Sequence, residues 1–125
     1  MTRNPETPMQ YALLFYVQPD NLVEALPPAE RDAWFAQMRA WHGEVVKAGI
    51  FKTGLRLAGT GTGASLRRQG GKVLVTDGPF AETKEVLTGL VVIECATLEE
   101  AHAWSKRCPI LLRGTVEVRP EFTAG

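Results

Sequence analysis

The segment that begins at Asp77 contains the residue types best suited to proton transfer. Gly78-Pro79 follows at once. Because the residue before a proline avoids the helical region, a turn is predicted directly after this carboxylate. Asp77 also continues the alternation of Val73 and Val75, which predicts that its side chain leaves the strand on the side that those valines bury. Two interpretations are open: the aspartate caps its own turn, or the turn holds a carboxylate at the mouth of a pocket for acid/base work.

The second candidate for acid/base work is His42, which lies in a long predicted helix. Pro27-Pro28 opens this helix, which extends over 29–48, and Gly49 is its expected C-cap. Its apolar positions recur at spacings of four, three, four and three residues, and they are Trp34, Met38, Trp41, Val45 and Ala48. His42 falls inside this apolar arc. It is either a buried histidine satisfied by backbone groups or a general acid or base at a pocket lip, because an imidazole exchanges a proton near neutral pH.

Other chemistries have weak support in the sequence. The segment 59–64 matches the dinucleotide pattern G-x-G-x-x-A, but only five residues separate it from Gly70-Gly71, which is too short for the helix that this motif needs. The two histidines lack H-x-x-x-H spacing, and no serine lies in a G-x-S-x-G elbow. Cys95 and Cys108 are expected to be two reduced thiols in the core. We therefore predict no metal site and no cofactor.

The elements that must position these residues can be located from hydrophobic periodicity. Besides the long helix, a shorter one is predicted from Leu98 to Arg107, with a capping box from Thr97 to Glu100. The predicted strands are Tyr11 to Val17, Phe51 to Ala58, Ser65 to Gln69, Lys72 to Thr76, Gly89 to Cys95 and Thr115 to Arg119. Gly70-Gly71 joins the third and fourth strands as a hairpin, and the glycine-threonine run 59–63 is expected to be a flexible connection.

This order of elements predicts an α+β fold, a ferredoxin-like sandwich in which both helices cover one face of an antiparallel sheet. The opposite face then carries apolar side chains that nothing in the chain covers. A second subunit is the simplest cover, and face-to-face pairing of two sheets would make a dimeric α+β barrel. The space between sheet and helices would form pockets.

Length and charge set limits on the class of protein. The 125 residues suit one domain at 10–122, with a disordered leader at 1–9 and a tail at 123–125. The chain has 14 Lys plus Arg and 14 Asp plus Glu, so it has no net field that would attract a nucleic acid. Its longest apolar run, Tyr11 to Val17, is too short to cross a membrane, and no signal peptide precedes it. A cytoplasmic location is expected.

Several of these segments together resemble a known family. Residues 75–85, VTDGPFAETKE, are followed by Gly89, by Cys108-Pro109 and by Val116 to Pro120. This pattern resembles the DGPF-type branch of the YCII-related proteins from Tyr11 to Pro120. The resemblance implies a dimeric α+β barrel whose pocket holds a histidine and an aspartate as an acid/base pair, here His42 and Asp77. It also implies a setting beside an extracytoplasmic-function sigma factor.

The resulting expectation is a homodimer that binds a small, partly apolar organic molecule. If it is an enzyme, it is a cofactor-independent lyase or isomerase that abstracts a proton or eliminates a group, with Asp77 or His42 as base and Arg119 steadying negative charge. The residues expected to contact the substrate are Phe80, Glu82 and Trp41. The alternative is a non-catalytic adaptor that contacts a sigma factor or another regulator.

Overall fold

A computed structural model describes residues 7–79 and 83–123 of the chain. The strands in chain order are β1 (Met9–Val17), β2 (Phe51–Arg56), β3 (Ala64–Gln69), β4 (Lys72–Asp77), β5 (Val86–Cys95) and β6 (Gly114–Pro120). The helices are α1 (Pro28–Lys47) and α2 (Leu98–Lys106), and two short 3-10 turns lie at Thr60–Thr62 and Pro109–Leu112. Within this part of the chain, no helix is long and apolar enough to cross a bilayer.

Four strands form the main sheet in the order β2-β5-β1-β6, and every neighbouring pair is antiparallel. With the β3–β4 hairpin set aside, this order has the first and third strands at the centre, which is the ferredoxin-like arrangement. The predicted α+β fold is therefore confirmed.

Both helices pack on the same face of the sheet. Alternate residues of β1 are buried beneath them, and these are Tyr11, Leu13, Phe15 and Val17. The core continues into α1 through Trp34, Trp41 and Val45 and into α2 through Ala101. Thr97 is the N-cap of α2, as predicted, because its side chain accepts a hydrogen bond from the Glu100 backbone N–H at 3.1 Å.

Neither of the two described helices packs on the other face of the sheet. The β1–β5 and β1–β6 registers place Leu14, Tyr16, Leu90 and Glu117 on this face, and its apolar side chains are half-buried. We call it the open face. Its apolar character agrees with the sequence-based expectation of a sheet face that the chain itself does not cover.

The β3–β4 hairpin forms a separate two-stranded sheet. Register puts Leu66, Val73 and Val75 on one side of it, together with Asp77, so the predicted phase of Asp77 is confirmed. The expectation that the valines are buried is wrong for the single chain, because Val73 is 52% and Val75 65% exposed. A lone hairpin has no layer of its own to bury these side chains against. We call this side the hairpin face.

The segment after β2 also differs from the expectation. The strand ends at Arg56 rather than Ala58, and the glycine-threonine run that follows contains a 3-10 turn. Asp20 orders this turn by accepting hydrogen bonds from the backbone N–H and the hydroxyl of Thr60, at 2.9 and 2.8 Å. A distant carboxylate therefore supplies order that the local composition does not predict.

Candidate ligand site between α1 and β2

A cavity of about 280 Å³ opens between α1 and the β2 edge of the main sheet. We call it the α1–β2 cavity. This volume lies close to the lower end of small-molecule pockets, about 300 Å³. Its walls are mostly aromatic and aliphatic and include Phe15, Trp34, Phe35, Met38, Phe51 and Ile110.

One face of α1 forms the helix side of the cavity. Trp34, Met38 and His42 lie four residues apart, so their side chains share that face. Trp34 is buried, while His42 is exposed to water on one side. The His42 ring meets the Phe51 ring edge-on, with the centroids 4.7 Å apart and the planes at 78°. His42 therefore stands at the lip of an apolar cavity and also reaches solvent, which suits a group that exchanges protons.

Arg56 stands at the far end of β2 from Phe51 and also lines the cavity. Its guanidinium carbon lies 5.1 Å from the centroid of the Phe35 ring, which is a cation–π contact. The guanidinium also pairs with the Glu24 carboxylate. This ion pair is exposed on both sides, so its contribution to stability is small.

Gly54 forms part of the cavity wall, in the middle of β2. A Cβ at this position would lie 3.0 Å from the Leu90 carbonyl oxygen and 3.2 Å from Cγ2 of Val91. It would also come within 3.5 Å of the Phe51 ring. The missing side chain thus allows β2 and β5 to approach closely while the cavity stays open.

The titratable side chains among the described lining residues are His42 and Arg56. Neither Asp nor Glu is found in that described lining. The arrangement can therefore hold an apolar molecule, pair one negative charge and transfer one proton.

Comparison with known proteins places the chain in a family. The model of the YCII-related domain matches residues 9–122. The chain belongs to the YCII-related family. It is also 36% identical over 114 residues to a protein of Rhizobium meliloti (strain 1021) called "Uncharacterized protein R00369", with 90% of this chain and 91% of that protein covered. Assignment to the DGPF-type branch stays a prediction that is compatible with this match.

Two of the predicted catalytic residues of this YCII-related protein lie away from the cavity of their own chain. Asp77 ends β4 on the hairpin face, is exposed, and is absent from the described cavity lining. Arg119 lies on the open face with Glu117, and their side chains are 3.7 Å apart. The open face is opposite to the helices, so Arg119 lies across the sheet from α1 and His42, and Asp77 is not among the described residues that line the cavity with His42. Their catalytic roles stay predictions.

The predicted substrate contacts have different placements. Trp41 is buried and is not among the described cavity residues. Its indole Nε1–H donates to the Trp104 carbonyl at 3.1 Å, and its ring meets Phe15 edge-on, so it joins α1 to α2 and to the sheet. Phe80 and Glu82 lie outside the described residues.

Sequence reasoning missed Arg56, which the structure places at the cavity. The cation lies at the end of a strand that the sequence pattern predicts, but Glu24 and Phe35, its two partners, lie 32 and 21 residues before it. The available signal was an arginine in the predicted strand that follows the long helix. Its position beside α1 follows only from packing.

The two cysteines of this YCII-related protein are free and buried, as predicted. Burial raises the pKa of Cys95 to about 11, and the neighbouring Glu100 carboxylate adds to this rise. Burial likewise raises the pKa of Cys108 to about 11. Both thiols stay protonated near neutral pH, and a protonated thiol is a poor nucleophile.

Proposed function

We propose that this YCII-related protein is a homodimer whose α1–β2 cavity binds a small, largely apolar organic molecule. In that cavity His42 acts as general acid or base in cofactor-free proton abstraction or elimination. The observation that carries the proposal is the position of His42, at the lip of an apolar cavity and in contact with water. Asp77 and Arg119 act under this proposal only where the dimer brings them to a ligand, since neither lines the described cavity of its own chain.

Two uncovered apolar surfaces support the dimer. The open face of the main sheet carries Leu14 and Leu90, and the hairpin face carries Leu66, which is 64% exposed, and Val75. Leu14 and Leu90 are half-buried, and Leu66 and Val75 are exposed. Apolar surfaces that the chain itself leaves uncovered often mark protein–protein interaction sites. A second copy can cover these surfaces. In a two-fold dimer the same patch is used on both chains, so each chain covers its partner and is covered by it.

The acid/base role is tested by hydrogen exchange. The protein is incubated in D₂O with a panel of apolar carbonyl compounds that have acidic C–H bonds, and deuterium incorporation is followed by proton NMR. We expect catalysed exchange for at least one compound, and His42→Asn is expected to lower its rate by about 10² to 10⁴ fold.

The matched control for this experiment is His102→Asn. His102 is exposed on α2 and is not among the described residues of the α1–β2 cavity, so its loss should leave the exchange rate unchanged. Asp77→Asn, measured alongside, shows whether that carboxylate takes part. Equal exchange by the wild type and His42→Asn, or no exchange with any compound, contradicts the catalytic role.

The dimer is tested by sedimentation velocity at micromolar concentration. Val75→Lys places a charge on the hairpin face and is expected to shift the protein toward monomers. Leu74→Lys is the matched control, because Leu74 is exposed on the same strand but points to the other side. Monomeric wild type, or equal dissociation by both variants, would rule out this interface.

The alternative of a non-catalytic adaptor for a sigma factor or another regulator stays a prediction, because nothing in the described residues distinguishes such a partner from a second copy of this chain. It also does not require an open apolar cavity. The exchange experiment separates the two, since an adaptor has no reason to catalyse exchange.

A further inference from the structure

The α1–β2 cavity is elongated, with its two titratable groups at separate ends. Phe35 and His42 are seven residues apart on α1, which corresponds to two turns and about 10 Å along the helix axis. Arg56 lies over Phe35 at one end, and His42 lies against Phe51 at the other. The space between them is lined by Met38 and other apolar groups.

The Arg56 end of the cavity offers a site for a negative charge. A guanidinium has five N–H donors, and the contact with Glu24 occupies one nitrogen of Arg56. The contact with the Phe35 ring holds the cation beside the cavity. The Arg56 side chain therefore loses less conformational entropy when a ligand binds to it. Because no carboxylate is found in the described lining, an entering anion meets no like charge on the cavity wall.

Among the described residues Glu24 is the carboxylate that pairs with this cation, and it competes weakly with a ligand. The Glu24 side chain is 61% exposed and that of Arg56 is 48% exposed. Water screens an exposed pair of this kind, so its disruption costs little. A carboxylate on a ligand whose apolar body is already in the cavity can therefore replace Glu24 or share Arg56 with it.

We infer that the α1–β2 cavity takes an elongated apolar or aromatic monocarboxylate, with the carboxylate on Arg56 and the apolar body extending toward His42. This inference rests on the proposed function and names the substrate class for the same site. It makes Arg56 the specificity-determining residue, because an arginine matches the planar geometry of a carboxylate with two parallel hydrogen bonds. The reacting carbon then lies at the end of the molecule away from its charge.

The test compares three probes of one shape and different charge by isothermal titration calorimetry. They are 2-naphthoate, the neutral 2-naphthamide and the cationic 2-naphthylmethylammonium. We expect 2-naphthoate to bind about tenfold more tightly than the amide, as one partly exposed charged hydrogen-bonded pair provides. The cation should bind most weakly.

Two variants separate recognition by Arg56 from a structural role. Arg56→Gln should remove the preference for 2-naphthoate and leave the affinity for 2-naphthamide unchanged. Glu24→Gln removes the competing carboxylate and should tighten 2-naphthoate binding by several fold. Arg67→Gln is the control and should change neither affinity, because Arg67 pairs with Leu74 on the side of the hairpin opposite to the hairpin face and is not among the described cavity residues.

The outcomes distinguish the inference from the proposed function. If all three probes bind equally, the cavity is a ligand site but the carboxylate inference is wrong. If Arg56→Gln and Glu24→Gln weaken 2-naphthoate binding equally, the pair acts through structure and the inference is also wrong. If none of the probes binds, both the inference and the proposed cavity site are contradicted.

Discussion

Trp41 provides a sharp test of structural against ligand-binding roles, because the sequence predicts a substrate contact and the structure places its indole in the core. Trp41→Phe retains an aromatic ring against Phe15 but removes the Nε1–H that donates to the Trp104 carbonyl. That carbonyl also accepts from the Arg107 backbone N–H at 3.2 Å, so it keeps a partner. The hydrogen-bond loss should therefore cost only about 0.5–1.5 kcal/mol.

The smaller ring adds a packing loss. Trp41 is 4% exposed, so nearly all of the deleted ring atoms are buried. At roughly 0.8 kcal/mol per buried carbon, two or three lost groups would cost about 2 kcal/mol. The total, about 2.5–3.5 kcal/mol, is less than the roughly 5–15 kcal/mol that stabilises a domain, so the variant should stay folded.

Urea denaturation measures this loss as a lower midpoint at an unchanged slope. Trp104→Phe is the control, because it keeps the backbone acceptor and changes a side chain that is only half-buried. We expect Trp41→Phe to leave the affinity for 2-naphthoate unchanged. An unchanged midpoint would refute the structural role. A weaker affinity for 2-naphthoate at unchanged stability would support the predicted ligand contact.

Three further predictions concern stability and the cavity. Gly114→Ala should unfold the protein or lower its melting temperature sharply, because a Cβ there would lie 2.1 Å from the Tyr16 carbonyl oxygen; a melting temperature equal to that of the wild type would contradict the strand spacing. Gly54→Ala should lower both stability in urea and 2-naphthoate affinity, since its Cβ meets a carbonyl of β5 and the cavity wall, and an unchanged affinity would contradict the placement of the cavity. The free energy of unfolding should fall as the pH rises from about 9 to about 11. In this range the thiols of Cys95 and Cys108 lose their protons in the unfolded chain but keep them in the folded chain, where their pKa values are raised to about 11. Urea titrations of the wild type and Cys108→Ala across this range should show a shallower fall for the variant, and parallel curves would contradict a buried thiol.

Much of the fold follows from local patterns that can be read along the chain. The spacing of Trp34, Trp41 and Val45 predicts the buried face of α1, and the alternation in β6 predicts that Val116 and Val118 share one side. In β1 every residue from Tyr11 to Val17 is apolar, so its sequence predicts a strand but not which side chains face the helices. These patterns depend on the repeat of a helix or a strand, which is a property of consecutive residues. The hairpin at Gly70-Gly71 is predicted for the same reason, and both glycines have positive φ.

The candidate site depends more strongly on tertiary structure. His42 could be assigned to the core side of α1 from its spacing, but the choice between a buried and a lip position depends on where Phe51 packs. Trp41 and Trp34 have the same local pattern, yet one joins two helices and the other lines the cavity. Periodicity gives the side of a helix that faces the core and carries no information on which neighbour it meets there.

The amino-acid sequence by itself determined the element order, the apolar open face, the buried free thiols and the acid/base residue His42 as a candidate. Only the tertiary structure decided that Arg56 and His42 share a cavity and that Asp77 is not among the described residues of its lining. The physical reason is that a cavity is the space left where distant elements pack imperfectly. Its position depends on the relative placement of α1 and β2, which no local interaction along the chain specifies.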